Sequence, residues 1–315
     1  MNSSQLIDID LYRPGMGACY LVADRSELAI IDCGTRHSVP NILQAIADSG
    51  HQPGDVRWII PTHVHLDHAG GAGTLMAQCP NATLITHPSG LPHLVEPSLL
   101  QASASQVYGA AHYARHYGDL DPIPESRCQA ATDNETIALG LRQLQLLQTP
   151  GHANHHICIL DQASGDLYTG DTFGLSYREL SQPSPYLIAT TTPVAFEPDA
   201  WQASLDRLLA LHPETVCLAH YGGYPQPQQL APQLRASIEQ HREIALHEEP
   251  NPLTGRLERL RQTLATQLIP SAKHHSGLSE SQVYAILEDD ITLNAQGLEI
   301  WLTRRARHRT DQHQP

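Results

Sequence analysis

The sequence predicts an α/β protein of αββα type, a four-layer sandwich of two sheets back to back with helices outside, extended by a C-terminal helical appendage. The first ground is a series of short apolar segments, bounded by Gly, Pro or charged turns, through the first two thirds of the chain. The second is helical periodicity placed between those segments rather than in one block. The third is a change of character near Pro225, after which only helical stripes remain. Many short apolar strands bury their surface by packing sheet on sheet, with helices on the outer faces.

Taken in order, Ile7 to Leu11, Cys19 to Ala23 and Leu28 to Asp32 read as three strands of a meander. Ile42, Leu43, Ile46 and Ala47 recur at helical spacing up to Gly50, a C-terminal stop. Val56 to Pro61 is a buried strand. Gly70-Gly71-Ala72-Gly73 then opens a short helix through Met76; no Gly-Lys-Ser/Thr follows, so close approach of backbones explains these glycines better than a phosphate cradle. Ala82 to Thr86 is the next strand. Residues 88–128 form a helical insertion rich in Pro, His and Tyr, placed to roof an active site. Strands resume at Thr136 to Leu139, Leu141 to Gln148, Ile157 to Leu160 and Asp166 to Thr169. Trp201, Leu205, Leu208 and Leu209 share a helical face before the last core strand, Thr215 to Leu218.

Pro225, Pro227 and Pro232, among four Gln, read as a linker. Beyond it, Leu234 and Ile238 share a face, and Leu257, Leu260, Leu264 and Leu268 make a long stripe. Ser279-Glu280-Ser281-Gln282 has the form of a capping box opening a helix through Val283, Ile286 and Leu287, and Leu298, Trp301 and Leu302 mark the last helix. The chain accordingly divides into a catalytic domain, 1–225, and a helical appendage, 226–315, that packs on the core, shapes the cleft or joins a second copy as a homodimer.

The 315 residues carry 19 basic against 33 acidic side chains, a formal charge of −14. Such a surface repels phosphate backbones and sets nucleic acid aside as a partner. Arg304, Arg305, Arg307 and Arg309 read as a solvated helix end. Six scattered cysteines, without Cys-x-x-Cys, read as small core residues rather than a disulfide framework. Met1 to Asp10 does not have the form of a signal peptide, and no apolar run approaches the ~20 residues of a membrane span. The expectation is a soluble, reduced, cytoplasmic protein with no membrane partner.

Chemistry concentrates at predicted strand ends. Thr62-His63-Val64-His65-Leu66-Asp67-His68 follows the strand ending at Pro61, so His63 and His65 face one ion while Asp67 and His68 face a neighbouring position. His152 follows Leu141 to Gln148, Asp171 follows Asp166 to Thr169, and His220 follows Thr215 to Leu218. Strand ends converge on one edge of a sheet, where loops carry chemistry on a rigid scaffold. A histidine-rich surface turn accounts for one His-x-His, not for this set. Neutral imidazoles and carboxylates suit zinc, iron or manganese, and seven ligands suit two ions, with Asp171 the carboxylate able to bridge.

These motifs resemble the metallo-β-lactamase-fold hydrolase superfamily, whose pattern is His-x-His-x-Asp-His followed by distant His, Asp and His. The resemblance covers about residues 5–225 and fills every ligand position of the dinuclear, glyoxalase II-like form. It implies the αββα fold, a first ion on His63, His65 and His152, a second on Asp67, His68 and His220, and Asp171 between them; Asp67 is also implied as catalytic. Ile30-Ile31-Asp32-Cys33-Gly34 resembles the family's early strand ending in Asp-x-Gly, which makes Asp32 a residue that holds the metal turn rather than a ligand. The segments 149–156, 95–109 and 201–213 look like a microbial subgroup of the superfamily.

The ligand set implies a metal-dependent hydrolase in which two divalent ions, zinc first and iron or manganese as alternatives, share a hydroxide that attacks a small ester, thioester or lactone. Gly-x-Ser-x-Gly is absent, so a serine triad is not supported. Tyr221, Tyr224, His155 and His156 are candidates for a proton donor by proximity alone. Two other readings stand beside hydrolysis. One is a persulfide dioxygenase using a single iron on His63, His152 and Asp171; the other is a non-catalytic, metal-stabilised interaction protein.

Overall fold

The computed structural model describes residues 4–191 and 195–311. One six-stranded sheet runs in chain order: β1 (Gln5–Asp8), β2 (Ala18–Asp24), β3 (Glu27–Ile31), β4 (Val56–Ile60), β5 (Thr83–Thr86) and β6 (Cys128–Ala130). Its first three strands pair antiparallel, and β3 through β6 pair parallel. The second sheet comprises β7 (Thr136–Leu139), β8 (Arg142–Gln148), β9 (Ile157–Asp161), β10 (Asp166–Gly170), β11 (Thr215–Leu218) and β12 (Gly222–Pro225), also side by side in that order. Only β10 and β11 pair parallel in it. Two mixed sheets, flanked by helices and followed by C-terminal helices, meet the αββα expectation.

Alternation along the strands explains why they read as unbroken apolar runs. In β3, Leu28 and Ile30 join a core with Ile42 and Ile46 of α1 (Val39–Asp48), whereas Ala29 and Ile31 join Tyr20, Ile60, Leu144 and Ile159 in the core between the sheets. Both faces are buried, so no polar face interrupts the sequence. The first strand lies earlier than expected: Ile9 and Leu11 are buried in a loop, because Asp10 (φ 52°) and Tyr12 (φ 55°) leave the extended region. The histidine-rich turn after β4 runs into α2 (Leu66–Ala69), and α3 (Ala72–Gln78) follows.

The insertion folds as α4 (Leu91–Val95), α5 (Ser98–Tyr108) and α6 (Ala110–His116). β6 begins at its last residue, and that strand's three residues, two partly exposed and one exposed, are too few to show a period.

Packing divides the chain into two compact units. The first takes Met1–Thr149, His155–Gly170 and Leu211–Pro227, and holds both sheets. The second takes Pro150–Asn154, Asp171–Ala210 and Gln228–Pro315. It contains α7 (Pro198–Leu209), nearly all of α8 (Pro227–Glu248), α9 (Arg256–Ser276) and α10 (Glu280–Asp311).

The Pro- and Gln-rich stretch is not a linker: β12 ends at Pro225 and α8 begins at Pro227. Pro227 opens the helix, where its missing N–H would be unpaired anyway, and Pro232 forgoes one bond close to that end. Ala231, Leu234, Ile238 and Ala245 bury one face and outweigh the loss. In α9 the buried stripe is Leu260, Leu264 and Leu268, with Leu257 38% exposed. The capping box of α10 forms as read: Ser279 N donates to Gln282 Oε1 (3.0 Å), and Gln282 N donates to Ser279 Oγ (3.4 Å). Three of the four terminal arginines are ion-paired rather than merely solvated, Arg304 with Glu197 and both Arg305 and Arg309 with Glu249. All six cysteines are free thiols, five of them buried. Among the described residues no helix is long and apolar enough to cross a membrane.

Candidate metal centre

In the sheet unit, the residues singled out for chemistry follow the C-terminal ends of parallel strands. Asp32 follows β3, His63 and His65 follow β4, and His220 lies two residues beyond β11. Asp67 and His68 stand on the first turn of α2. The donor atoms of Asp67, His68 and His220 all lie within 4.8 Å of one another. Asp67 Oδ2 is 3.2 Å from His220 Nε2 and 3.6 Å from His68 Nε2. Metal–ligand bonds of ~2.0–2.2 Å at tetrahedral angles separate ligand atoms by roughly 3.4 Å, so this spacing suits a first-row divalent ion.

The other ring nitrogens fix the tautomers. His220 Nδ1 lies 2.8 Å from the Met16 carbonyl, which can only accept, so Nδ1 carries the proton and the neutral ring keeps its lone pair on Nε2. His68 Nδ1 faces Asp32 Oδ2 at 3.1 Å with the same consequence. Both lone pairs then face the Asp67 carboxylate, an arrangement of electron-pair donors that a cation satisfies. The residues fit the metal that the sequence implies.

Asp32 organises this turn. Its Oδ1 accepts from Thr62 N (2.8 Å) and Thr62 Oγ1 (2.9 Å), while Oδ2 serves His68. Cys33 N donates to His68 O and Gly71 N to Gly34 O, strapping the two loops together. A Cβ on Gly71 would stand 2.6 Å from the Cys33 carbonyl oxygen and 2.7 Å from that of Thr35, so the close approach inferred for these glycines is present.

His63 Nε2 and His65 Nδ1 lie 2.8 Å apart in the same unit. His63 is fully buried; His65 and Asp67 are partly exposed and mark the solvent side of their clusters. In the helical unit, His152 Nε2 faces Asp171 Oδ2 at 3.4 Å, again the ligand spacing. His152 Nδ1 lies 2.9 Å from the Thr190 carbonyl, which leaves Nε2 as the donor atom. Gly151 brings this turn against α7, since a Cβ there would meet Trp201 Cα at 2.4 Å.

The proton-donor candidates separate. His156 is fully buried, bonds Thr149 Oγ1 through Nδ1 (2.9 Å) and stacks 4.8 Å from His63, a core histidine supporting the turn. His155 is partly exposed, with its ring 5.9 Å from that of His65. Tyr221 is buried and donates to Asp8 Oδ2 (3.3 Å), while Tyr224 sits on β12 opposite Val216.

Sequence reasoning missed Tyr117 and Tyr12. Their hydroxyls are in direct contact, and His112 Nε2 is 3.3 Å from Tyr12 Oη. Burial, then Tyr108 and then the charge of Asp67 push the Tyr117 hydroxyl far above the ordinary tyrosine range, so part of the insertion lies in the field of Asp67. Met16 and Thr190, which act through their carbonyls, were also missed; a backbone carbonyl leaves no signature in residue type.

Comparison with known proteins agrees with this architecture. An archaeal metallo-beta-lactamase fold-containing protein of Sulfurisphaera tokodaii is 26% identical over 255 residues, covering 78% of this chain and 87% of that protein. Its crystal structure superposes with a TM-score of 0.64 at 23% identity, over 95% of this chain and 98% of that one. A metallo-beta-lactamase family protein of Thermus thermophilus also gives 0.64 at 20% identity, over 98% and 95%. A hydroxyacylglutathione hydrolase of Albidiferax ferrireducens is 29% identical over 206 residues, 64% of this chain and 60% of that protein. Thioesterases and a lactonase are further relatives, so the superfamily includes hydrolases. The family model of the metallo-beta-lactamase superfamily matches residues 12–220, from the loop before β2 to the His220 turn, and the chain belongs to that superfamily.

Proposed function

We propose that this protein is a dinuclear metal-dependent hydrolase of a small ester, thioester or lactone. The observation that carries the reading is the Asp67, His68 and His220 cluster, with ligand spacing and two rings whose outer nitrogens are committed elsewhere. His63 and His65 are proposed to join His152 around a first ion, Asp67, His68 and His220 to hold a second, and Asp171 to serve both. Zinc is preferred, with iron or manganese acceptable to the same mixed donors. Two such ions supply a water acidified toward neutral pH and a Lewis acid for a carbonyl oxygen.

The chain's own residues supply orientation. Asp32 and the Met16 carbonyl hold His68 and His220 in the tautomer that presents Nε2. Asp67, with 24% of its side chain accessible, is the carboxylate through which an incoming group is met and is proposed as catalytic for that reason. The substrate class follows from ester, thioester and lactone chemistry sharing one requirement, an activated water against a polarised carbonyl. It is supported by relatives named as hydroxyacylglutathione hydrolase, acyl-coenzyme A thioesterase and N-acyl homoserine lactonase. Iron dioxygenase chemistry on His63, His152 and Asp171 leaves the Asp67, His68 and His220 cluster without a part, which favours hydrolysis. The formal charge of −14 argues against a nucleic-acid partner. A cytoplasmic location, a homodimer and a helical appendage from 226 complete the proposal.

Elemental analysis of protein purified from metal-supplemented medium tests the centre, and two ions per chain are expected. A panel of esters, thioesters and lactones then tests the chemistry. Fewer than about one ion per chain overturns the centre, and persulfide-dependent oxygen uptake without turnover of any panel member overturns hydrolysis.

A further inference from the structure

We infer that Asn294, on the C-terminal helix α10, is a positioning residue for His152, acting through the backbone on either side of Thr190. The inference rests on the proposed reading of His152 as a metal ligand. His152 is fully buried, and its Nδ1 donates to the Thr190 carbonyl at 2.9 Å. The direction of that carbonyl therefore sets both the tautomer of the ring and the aim of Nε2, which faces Asp171 Oδ2 at 3.4 Å.

Thr190 lies outside any helix or named strand, so secondary structure does not fix its peptide. Asn294 does. Its Oδ1 accepts from Thr191 N at 2.6 Å and its Nδ2 donates to Ala189 O at 3.4 Å, so one side-chain amide grips the chain just before and just after Thr190 as a neighbouring strand would. Thr191 Oγ1 donates to the Asn294 carbonyl at 3.0 Å. From α8, Ser237 Oγ accepts from Ala189 N at 2.9 Å. His241 bonds Ser237 O through Nδ1 (2.7 Å) and places Nε2 3.4 Å from Asn294 Nδ2, which holds the amide the right way round. Asn294 and His241 are fully buried. A buried amide aligned with two consecutive peptide groups acts as a clamp, and its target is the carbonyl that His152 needs. The C-terminal helices thus acquire a specific task at the metal centre.

The test uses the full-length chain and four proteins: wild type, Asn294→Ala, Ser237→Ala and His152→Ala. Zinc affinity is measured by competition with a chromophoric chelator, ligand geometry by the visible bands of the cobalt(II)-substituted protein, and folding by thermal unfolding of the metal-free chains. For Asn294→Ala one ion should bind about 10- to 100-fold more weakly, with displaced cobalt bands, while the other binds as before. Ser237→Ala should move both readouts the same way by less, and it decides the matter alone if Asn294→Ala does not fold. Folded variants with wild-type zinc affinity and an unchanged cobalt spectrum overturn the inference, because a purely structural clamp would move neither. If His152→Ala itself binds both ions at full affinity, the ligand reading is what has failed.

Discussion

Replacing Asp32 by Asn separates the two tasks of a single carboxylate. The residue is 3% exposed; Oδ1 accepts two bonds from Thr62, and Oδ2 accepts one from His68 Nδ1. Asn keeps the oxygen that Thr62 needs but presents an NH2 group to His68. Turning the amide over would set the NH2 against Thr62 N–H, so His68 must change instead, accepting at Nδ1 and moving its proton to Nε2. That removes the lone pair proposed to meet the second ion. The lost charge-assisted hydrogen bond corresponds to about 1.5–3 kcal/mol of stability, and the wrong tautomer to about 10- to 100-fold in affinity for one ion. Asp32→Ala strands all three donors, and since each buried donor left unsatisfied costs about 1–3 kcal/mol, it should destabilise clearly more than Asp32→Asn. Urea unfolding of the metal-free chains gives the stability difference, and chelator competition gives the affinities. The reasoning fails if Asp32→Asn binds both ions with wild-type affinity, or loses as much stability as Asp32→Ala.

Other perturbations address the rest of the site and its support. Gly170→Ala would put a Cβ 2.4 Å from Thr62 Oγ1 at φ 47°; a loss of about 2–5 kcal/mol is expected in urea unfolding, and an unaltered midpoint would contradict the close packing. Burial lowers the His241 pKa to about 4, against the hydrogen bond that its Nδ1–H donates to the Ser237 carbonyl, which raises it. Its folded pKa lies below the unfolded value of 6.5, so its contribution is complete above pH 6.5, declines as pH falls and levels off below about 4, roughly 3 kcal/mol in all. His241→Gln should flatten that slope in unfolding measured between those limits, whereas an unchanged pH dependence would contradict a neutral buried ring. Arg142→Ala removes the ion-pair partner of the fully buried Asp161 and should cost about 3–5 kcal/mol by thermal or urea unfolding, most of it recovered when Asp161 is replaced as well. By elemental analysis His63→Ala should empty one site and Asp171→Ala should weaken both; full occupancy in Asp171→Ala would refute its bridging part.

Much of the architecture could be read from residue order alone, and the reason is local. Strands such as Leu28 to Ile31 and Val56 to Ile60 announce themselves because both faces are buried, and the α10 capping box because its partners lie three residues apart. The candidate ligand residues are legible for a similar cause. Each follows a strand closely, and four of them crowd one turn, where imidazole and carboxylate identities are themselves the chemical signal.

Tertiary structure decided what depends on partners remote in sequence. The helix through Pro227 and Pro232 forms because Leu234 and Ile238 are buried, a fact invisible in a stretch that locally resembles a linker. β6 and β12 exist through pairing with β5 and β11, not through any period of their own. Residues 150–154 and 171–210, which interleave with the strands in sequence, pack with the C-terminal helices instead. The tautomers of His220 and His152 are set by the carbonyls of Met16 and Thr190, 204 and 38 residues away. Side-chain identity named the candidate donor atoms of this protein, but a peptide carbonyl is the same at every residue, so only the folded chain could select which ones orient them.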